Sequence, residues 1–496
     1  MSSRLFNDET TATAVPVSTR TAKPKPISAQ ARLGQFMTSP AVADFMAAMF
    51  DGSMPSRVRL LDPGAGRGAL TAAFAARWSD QVCDQLEAHA YEFDGEVAPE
   101  LAENLTLLAQ GTRITTKIVP GDFIENAATM IKLQKGDRYS HAILNPPYKK
   151  ISTGSRHREL LRAIGLETVN LYTGFVGLAL ELLAAGGKLV AIIPRSFCNG
   201  PYYRPFRTFM LRRAAIRQVH LFESRTKAFK SDDVLQENVI IYLERNRPQD
   251  DVVISTSTDD TFRDLKKRTY PFNRIVFTDD PEGFIHIPID ELGEELEGVE
   301  QFRCSLSDLG ISVSTGPVVD FRLRDWLCHM PEQGTVPLLY AGHFMPGGME
   351  WPIPTAKKPN AIRRTLETEK WLYPNGYYAV VRRFSSKEER RRIVSGVVDP
   401  ARLPGEVLGF ENHLNVFHHG KRPLSERLAR GLSVFLNSTP VDKYFRRFNG
   451  HTQVNATDLR TMKYPDRDTL LHLGDWAVRH PDMTQETIDH KIRSIA

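Results

Sequence analysis

The sequence predicts an α/β protein in two parts, an open, doubly wound and mostly parallel sheet of about seven strands followed by an α+β domain. Three observations carry that prediction. The apolar run Val58-Arg59-Leu60-Leu61 leads into Asp62-Pro63-Gly64-Ala65-Gly66-Arg67-Gly68, a glycine-rich turn, and then into a helical pattern with Leu70, Phe74 and Trp78. Further apolar runs of strand length follow at helix-sized intervals, and several end in polar residues, where the ligand crevice of such a sheet lies. From Ile311 onward the composition changes to short strand-like runs rich in turn residues and arginine.

Bulk composition bounds the reading. A chain of 496 residues, 41% hydrophobic and 25% charged, can bury a sizeable core and exceeds one average domain. Its net charge of +5 suits a polyanionic partner and equally suits an ordinary solvated surface. The four cysteines (Cys83, Cys198, Cys304 and Cys328) show no CxxC spacing, so neither a disulfide framework nor a structural metal is indicated, and a reducing cytosol fits. No apolar stretch is long enough for a bilayer span, and the start lacks the apolar core of a signal peptide. Residues 1–30, rich in Ser, Thr, Ala and Pro, read as a disordered leader. The expected organisation is then 31–245 for the sheet domain, 246–310 as a polar, Asp-rich connection, and 311–496 for the second domain.

The elements follow in order. Order begins near Leu33-Gly34-Gln35-Phe36-Met37-Thr38, with Ser39 as cap and Pro40 as first residue of a helix carrying Val42, Phe45, Met46 and Met49. The glycines after Asp62 allow a sharp turn, and the following helix start offers free N–H groups to an anion. A second strand, Ala88–Tyr91, ends at Glu92-Phe93-Asp94, where a carboxylate can accept from both hydroxyls of a ribose or simply serve a helix start. A third, Ile114–Val119, ends at Gly121-Asp122-Phe123, where Asp122 can accept an exocyclic amine and Phe123 can stack on a purine. Leu171–Ala185 reads as a buried helix stopped by Gly186-Gly187, and Lys188–Pro194, Val219–Phe222 and Val239–Leu243 as further strands.

The fourth strand, Ala142-Ile143-Leu144, stops at Asn145-Pro146-Pro147-Tyr148. The prolines forbid its continuation and leave Asn145 at the strand tip. An amide oxygen, the Pro146 carbonyl on a peptide stiffened by the next proline, and the Tyr148 ring together suit a planar substrate bearing an NH2 group, such as adenine.

These residues in this order resemble the gamma class of N6-adenine DNA methyltransferases of type II restriction-modification systems, which use S-adenosylmethionine. The pieces that match are Gln35-Phe36-Met37-Thr38, the Asp62–Gly68 turn, Glu92, Gly121-Asp122-Phe123 and Asn145–Tyr148, and the likeness extends over nearly the whole chain. The resemblance implies a Rossmann-like S-adenosylmethionine-binding domain followed by a DNA target-recognition domain. It implies that Phe36 and Thr38 flank the cofactor, and that Asp62, Pro63, Gly64, Ala65, Gly66 and Gly68 cradle its methionine part. Glu92 would hold its ribose, Asp122 and Phe123 its adenine, Phe93 would be a further cofactor contact, and Asn145 would serve both cofactor and target. Met37 departs from the family, where an aromatic residue is commoner. Hydrogen bonds from the target amine to Asn145 and Pro146 would localise the nitrogen lone pair for in-line attack on the sulfonium methyl. The base would be flipped out of the duplex and stacked between Tyr148 and a second aromatic, Phe229 or else Phe197. No metal is required.

In the later half, Arg382-Arg383-Phe384 and Phe410–Asn415 resemble the subgroup that protects CTGCAG and similar palindromes. Arg382, Arg383, Arg446, Arg447, Asn449, Gln453 and Asn455 are the expected DNA contacts, whereas Glu388–Arg392 reads as a solvated face of mixed charge. The implied partners are double-stranded DNA and a separately encoded endonuclease acting on the same site, with no membrane, a monomeric enzyme and a bacterial or archaeal cytoplasm. A protein-glutamine methyltransferase, an RNA methyltransferase and a non-catalytic DNA-recognition subunit are the competing readings. The first lacks a large Arg-rich C-terminal domain, and an intact cofactor turn argues against the last.

Overall fold

The computed structural model describes residues 38–52, 54–79, 84–110, 112–134, 136–223, 237–278, 280–288, 302–345, 348–385, 389–449 and 453–495. The chain divides into two compact units, Met1–Ile287 and Pro288–Ala496.

The first unit is built on one nine-stranded sheet in the order β3-β2-β1-β4-β5-β7-β6-β8-β9. Its strands are β1 (Arg57–Pro63), β2 (Gln85–Glu92), β3 (Ile114–Pro120), β4 (Tyr139–Leu144), β5 (Leu183–Pro194), β6 (Ala214–Phe222), β7 (Asn238–Arg245), β8 (Val252–Ser257) and β9 (Lys266–Tyr270). The helices are α1 (Pro40–Ala48), α2 (Ala69–Trp78), α3 (Ala98–Ala109), α4 (Phe123–Leu133), α5 (Arg156–Ala163), α6 (Leu171–Leu182) and α7 (Arg204–Arg213). Strands β3, β2, β1, β4 and β5 run parallel, while β7 is antiparallel to both β5 and β6. Near-continuous burial of β1, β4 and β5 fits strands covered by helices on both faces. Chain order reverses between β1, whose neighbours are β2 and β4, and β4, so the crevice of this sheet opens beyond the ends of those two strands.

Local chemistry explains the helix starts. Ser39 caps α1 by accepting from the Val42 N–H, with Pro40 at the first position, and Asp122 caps α4 by accepting from the Glu125 N–H at 3.1 Å. The helix expected to run to Ala185 ends at Leu182 instead. Gly186 takes φ +73, and the pairing of β5 with β4 slips between Tyr139 and His141, so Leu183–Gly187 forms an irregular strand start.

Residues 246–287, expected as a connection, belong to the first unit. Val252 and Ile254 are buried in β8, which pairs in parallel with β6, and β9 closes the sheet with an exposed edge of Lys266, Lys267 and Arg268. Phe262, in the intervening loop, stacks on Phe45 of α1 at 4.0 Å. The pattern hid these strands because the apolar run of β8 is three residues long and β9 offers almost no apolar residue.

The second unit is α+β. A four-stranded sheet orders Ser312–Thr315, Leu414–His418, Tyr378–Arg382 and Ser395–Val398, and a five-stranded sheet orders Leu327–Cys328, Ala361–Arg363, Thr335–Leu339, Val407–Phe410 and Leu372–Pro374. Helices α8 (Glu426–Leu436), α9 (Thr439–Phe448), α10 (Ala456–Thr461), α11 (Arg467–Arg479) and α12 (Gln485–Arg493) complete it. Helices α8 and α11 cross at two glycines. A Cβ on Gly431 would lie 1.9 Å from the Leu470 carbonyl oxygen, and one on Gly474 would lie 1.9 Å from that of Arg427. No helix among the described residues is long and apolar enough to cross a membrane.

Candidate active site

The tips of β1 to β4 gather the polar residues that the sequence singles out in the first unit. After β1, Gly64, Gly66 and Gly68 take φ of +79, +57 and +85, left-handed values that a side chain would strain. The turn is tied to β2 by bonds from the Gly64 and Ala65 N–H groups to the Tyr91 carbonyl, each 2.8 Å, and by the Gly66 N–H donating to Glu92 Oε2 at 2.8 Å. Glu92 Oε1 accepts from the Asp94 N–H at 2.7 Å. A carboxylate can accept about four hydrogen bonds, so Glu92 holds the turn and keeps lone pairs for a further donor.

Asp62 lies beneath the turn, fully buried. Thr71 donates to its Oδ2 at 2.7 Å, while Oδ1 has no partner. Burial pushes the Asp62 carboxyl up to about 7, aided by the nearby Glu92 charge and opposed by the Thr71 bonds. Because the folded-state value exceeds the ordinary 3.8, ionising Asp62 costs stability. That contribution is intact below pH 4 and is lost as the pH rises to 7, by no more than about 4 kcal/mol. We expect thermal melts of Asp62→Asn to be flatter than wild type between pH 4 and 7. Parallel curves would show that Asp62 does not carry the linkage.

Asn145 follows directly on β4, and Leu60 and Leu61 of β1 pair with His141 and Ala142 of β4 beside it. Its amide is held from two sides: Nδ2 donates to Thr38 Oγ1 at 3.0 Å, and the Tyr148 hydroxyl donates to Oδ1 at 3.0 Å. The Tyr148 hydroxyl also lies 3.2 Å from the Ile192 carbonyl of β5. Pro146 is buried and Tyr148 half-buried, its ring edge-on to Tyr172 at 6.1 Å. Thr38, expected beside a cofactor, thus also positions the amide.

Asp122 sits at the tip of β3 with Oδ2 bonded to His157 Nε2 at 2.9 Å. The neighbouring ring is placed otherwise than expected. Phe123 is 3% exposed and packs against Tyr91 and Phe175, whereas Phe93 beside Glu92 is 72% exposed. Phe123 is therefore core, and Phe93 is the open aromatic face. Phe197 is corrected in the same way: it is 1% exposed, edge-on to Phe206, and cannot sandwich a base. Phe36 and Phe229 lie outside the described residues.

Sequence reasoning missed Thr71, His157 and the tyrosines behind Tyr148. Tyr172 bonds Ser196 at 3.1 Å, and Asn170 bonds the Tyr203 hydroxyl at 2.5 Å. Tyr172 was hidden in an apolar helix, and His157 carried no signal beyond lying in a basic segment.

Several expected DNA contacts in the second unit are internal. Asn449 is 2% exposed and bridges the Arg392 guanidinium, the Gln453 carbonyl and Asp458, so it cannot meet DNA directly. Asn455 caps α10 in a reciprocal box with Asp458. Arg382 pairs with Glu389, and Arg446 pairs with Asp442 at 2.7 Å. Arg383 donates to the Asn412 carbonyl and to Gln453 Oε1, each at 3.2 Å, while Arg447 is half-buried on α9. Arg392, read as part of a solvated face, is 1% exposed and bonds Ser385 at 3.1 Å. Short-range charge pattern could not reveal these partners, which lie 57 residues apart for Arg392 and Asn449 and 70 for Arg383 and Gln453.

The profile of the Eco57I restriction-modification methylase family matches residues 85–229. Over 473 residues the chain is 50% identical to the type II methyltransferase M.BsuBI of Bacillus subtilis, with 94% of each chain covered. It is 43% identical over 472 residues to the type II methyltransferase M.PstI of Providencia stuartii, covering 93% of this chain and 92% of that one. A nuclease-deletion mutant of the type ISP restriction-modification enzyme LlaGI, solved with a DNA substrate mimic, shares the fold at TM-score 0.51 and 12% identity, over 90% of this chain and 55% of that one.

Proposed function

The chain belongs to the type II methyltransferases of restriction-modification systems, and from that premise we propose that it methylates N6 of a flipped-out adenine in a short double-stranded DNA sequence. The observation that carries the reading is Asn145, set at the tip of β4 beside the glycine turn of β1, its amide held by Thr38 and Tyr148.

The first unit fits S-adenosylmethionine. The left-handed glycine turn leaves no side chain in the way of a ligand, Glu92 has lone pairs left for ribose hydroxyls, Phe93 offers an exposed ring, and Asp122 is open enough to accept an adenine amine. Thr38, Pro63 and Ala65 complete the cradle, while Asp62, fully buried beneath the turn, is corrected from ligand contact to a brace held by Thr71. When bound, that cofactor supplies an electrophilic methyl group.

The rest is done by this chain. An adenine amine is a poor nucleophile because its lone pair is delocalised into the ring. Asn145 Oδ1 and the Pro146 carbonyl accept its two protons in hydrogen bonds, which favours a tetrahedral nitrogen with a localised pair. Both acceptors are preorganised, one by its two hydroxyl partners and one by the proline that follows, so little reorganisation is needed as charge develops. Tyr148 stacks on the extruded base, with Phe229 as its counterpart.

The second unit reads DNA. There Arg383 stacks over Phe384, which is 40% exposed and lies 4.7 Å from the His413 ring, an aromatic and cationic group at the surface. Gln453 orients Arg383 there, whereas the charges of Arg382 and Arg446 are taken up by Glu389 and Asp442. A monomer suffices, each strand being modified in a separate event, and a separate endonuclease would cut the same site.

The test is incubation of the protein with tritiated S-adenosylmethionine and unmethylated plasmid DNA, followed by nucleoside analysis and mapping of modified bases. Label in N6-methyladenine at one short motif, with CTGCAG or a similar palindrome as the expectation, supports the proposal. Label in cytosine, or in protein and not DNA, overturns it.

A further inference from the structure

The segment that leaves Tyr148 does not wander. Its two ends are clipped together by the Ile151 N–H to the Val169 carbonyl at 2.7 Å and the Leu171 N–H to the Lys149 carbonyl at 2.8 Å. Within it, Leu161 of α5 and Leu166 are fully buried against α6 at two glycines. A Cβ on Gly174 would stand 3.0 Å from Leu161, and one on Gly177 would stand 2.3 Å from Leu166. The segment is therefore seated as a fixed flap, and at those two positions α6 admits it where a side chain would not fit.

That seating delivers one polar side chain to the neighbouring strand tip. His157, capped into the first turn of α5 by Ser155, places Nε2 2.9 Å from Asp122 Oδ2. An ionised carboxylate only accepts, so Nε2 carries the proton and donates. The other oxygen, Oδ1, accepts the Glu125 N–H at 3.1 Å as the α4 cap. One donor on each oxygen locks the plane of the carboxylate and leaves on each a lone pair. Both side chains remain partly open, at 24% for Asp122 and 32% for His157.

We infer that His157 is a positioning residue for cofactor recognition: it orients the Asp122 carboxylate that accepts the 6-amino group of the cofactor's adenine, and so ties selectivity for the adenine base to the flap leaving the catalytic tetrapeptide. This rests on the reading of Asp122 given above. Without His157 one carboxylate oxygen loses its donor, the group can rotate about its bond to the chain, and the lone pair aimed at the amine is no longer held in place.

Isothermal titration of the DNA-free protein with S-adenosylhomocysteine and with S-inosylhomocysteine tests this. The second ligand replaces the donor amine by an acceptor carbonyl. Wild type is expected to bind the adenosyl ligand at least tenfold more tightly. In His157→Ala that preference should fall about five- to tenfold, the net worth of one typical hydrogen bond, with inosyl binding unchanged. His157→Gln, whose Nε2 can reach the same oxygen, should recover most of it. Equal loss for both ligands, or undiminished discrimination in both variants, overturns the inference and assigns His157 to packing. A wild type that binds neither ligand overturns instead the assignment of the cofactor site.

Discussion

Asn145→Ala is expected to abolish methyl transfer, with a loss on the order of a thousandfold in turnover, while S-adenosylmethionine binding stays within about twofold of wild type. The magnitude follows from what is removed. The amide oxygen is the one side-chain acceptor at the tip of β4, and it acts on charge that develops only as the nitrogen lone pair localises, where deletion of a single preorganised dipole costs about 10²- to 10³-fold or more. In the proposed reading cofactor affinity rests on the glycine turn, Glu92 and Asp122, which the substitution leaves untouched. Filter binding of labelled cofactor beside a DNA methylation assay checks both halves at once. Undiminished turnover would remove Asn145 from the chemistry. Loss of cofactor binding would show that its amide serves the cofactor and not the base.

The second large effect is on stability. Gly431→Ala is expected to destabilise the second unit by at least about 3 kcal/mol, and Gly474→Ala by a similar amount. Each added methyl would lie 1.9 Å from a main-chain carbonyl oxygen of the facing helix, at Leu470 and Arg427 respectively. A clash with a flexible side chain is relieved by a rotamer change, but here the obstacle is backbone. Helices α8 and α11 must move apart, and the buried Leu428, Leu432, Leu470 and Leu473 lose contact with them. Against a typical domain stability of about 5–15 kcal/mol, such a loss is large. Chemical denaturation of the full chain should show the transition of the second unit moved to lower denaturant, with cofactor binding by the first unit retained. An unchanged transition would mean that the crossing tolerates a methyl on each helix.

The chemistry of the first unit was legible because it is written in contiguous residues. Each parallel strand is an apolar run, and its tip is marked by residues whose backbone demands are local: three glycines in left-handed conformations, an aspartate that caps the next helix, two prolines that end a strand. From these a mostly parallel sheet, a crevice at the carboxyl ends of its strands, and Asn145, Glu92 and Asp122 as polar groups at those ends could be read without coordinates; the strand order could not.

Tertiary structure alone decided what depends on partners remote in sequence. It turned Phe123 and Phe197 inward and left Phe93 outward, a choice that alternation of apolar residues cannot make at the end of a strand. It placed β9 at the edge of the sheet despite a polar sequence, because an edge strand needs a pairing partner more than an apolar face, and β8 between β6 and β9. It buried Asn449 and Arg392 together, 57 positions apart, where the sequence had suggested a DNA contact for the one and a solvated face for the other. It also brought Thr38 to Asn145 and His157 to Asp122. Main-chain geometry and helix capping are short-range and can be read along the chain, whereas burial and side-chain pairing are properties of the packed whole.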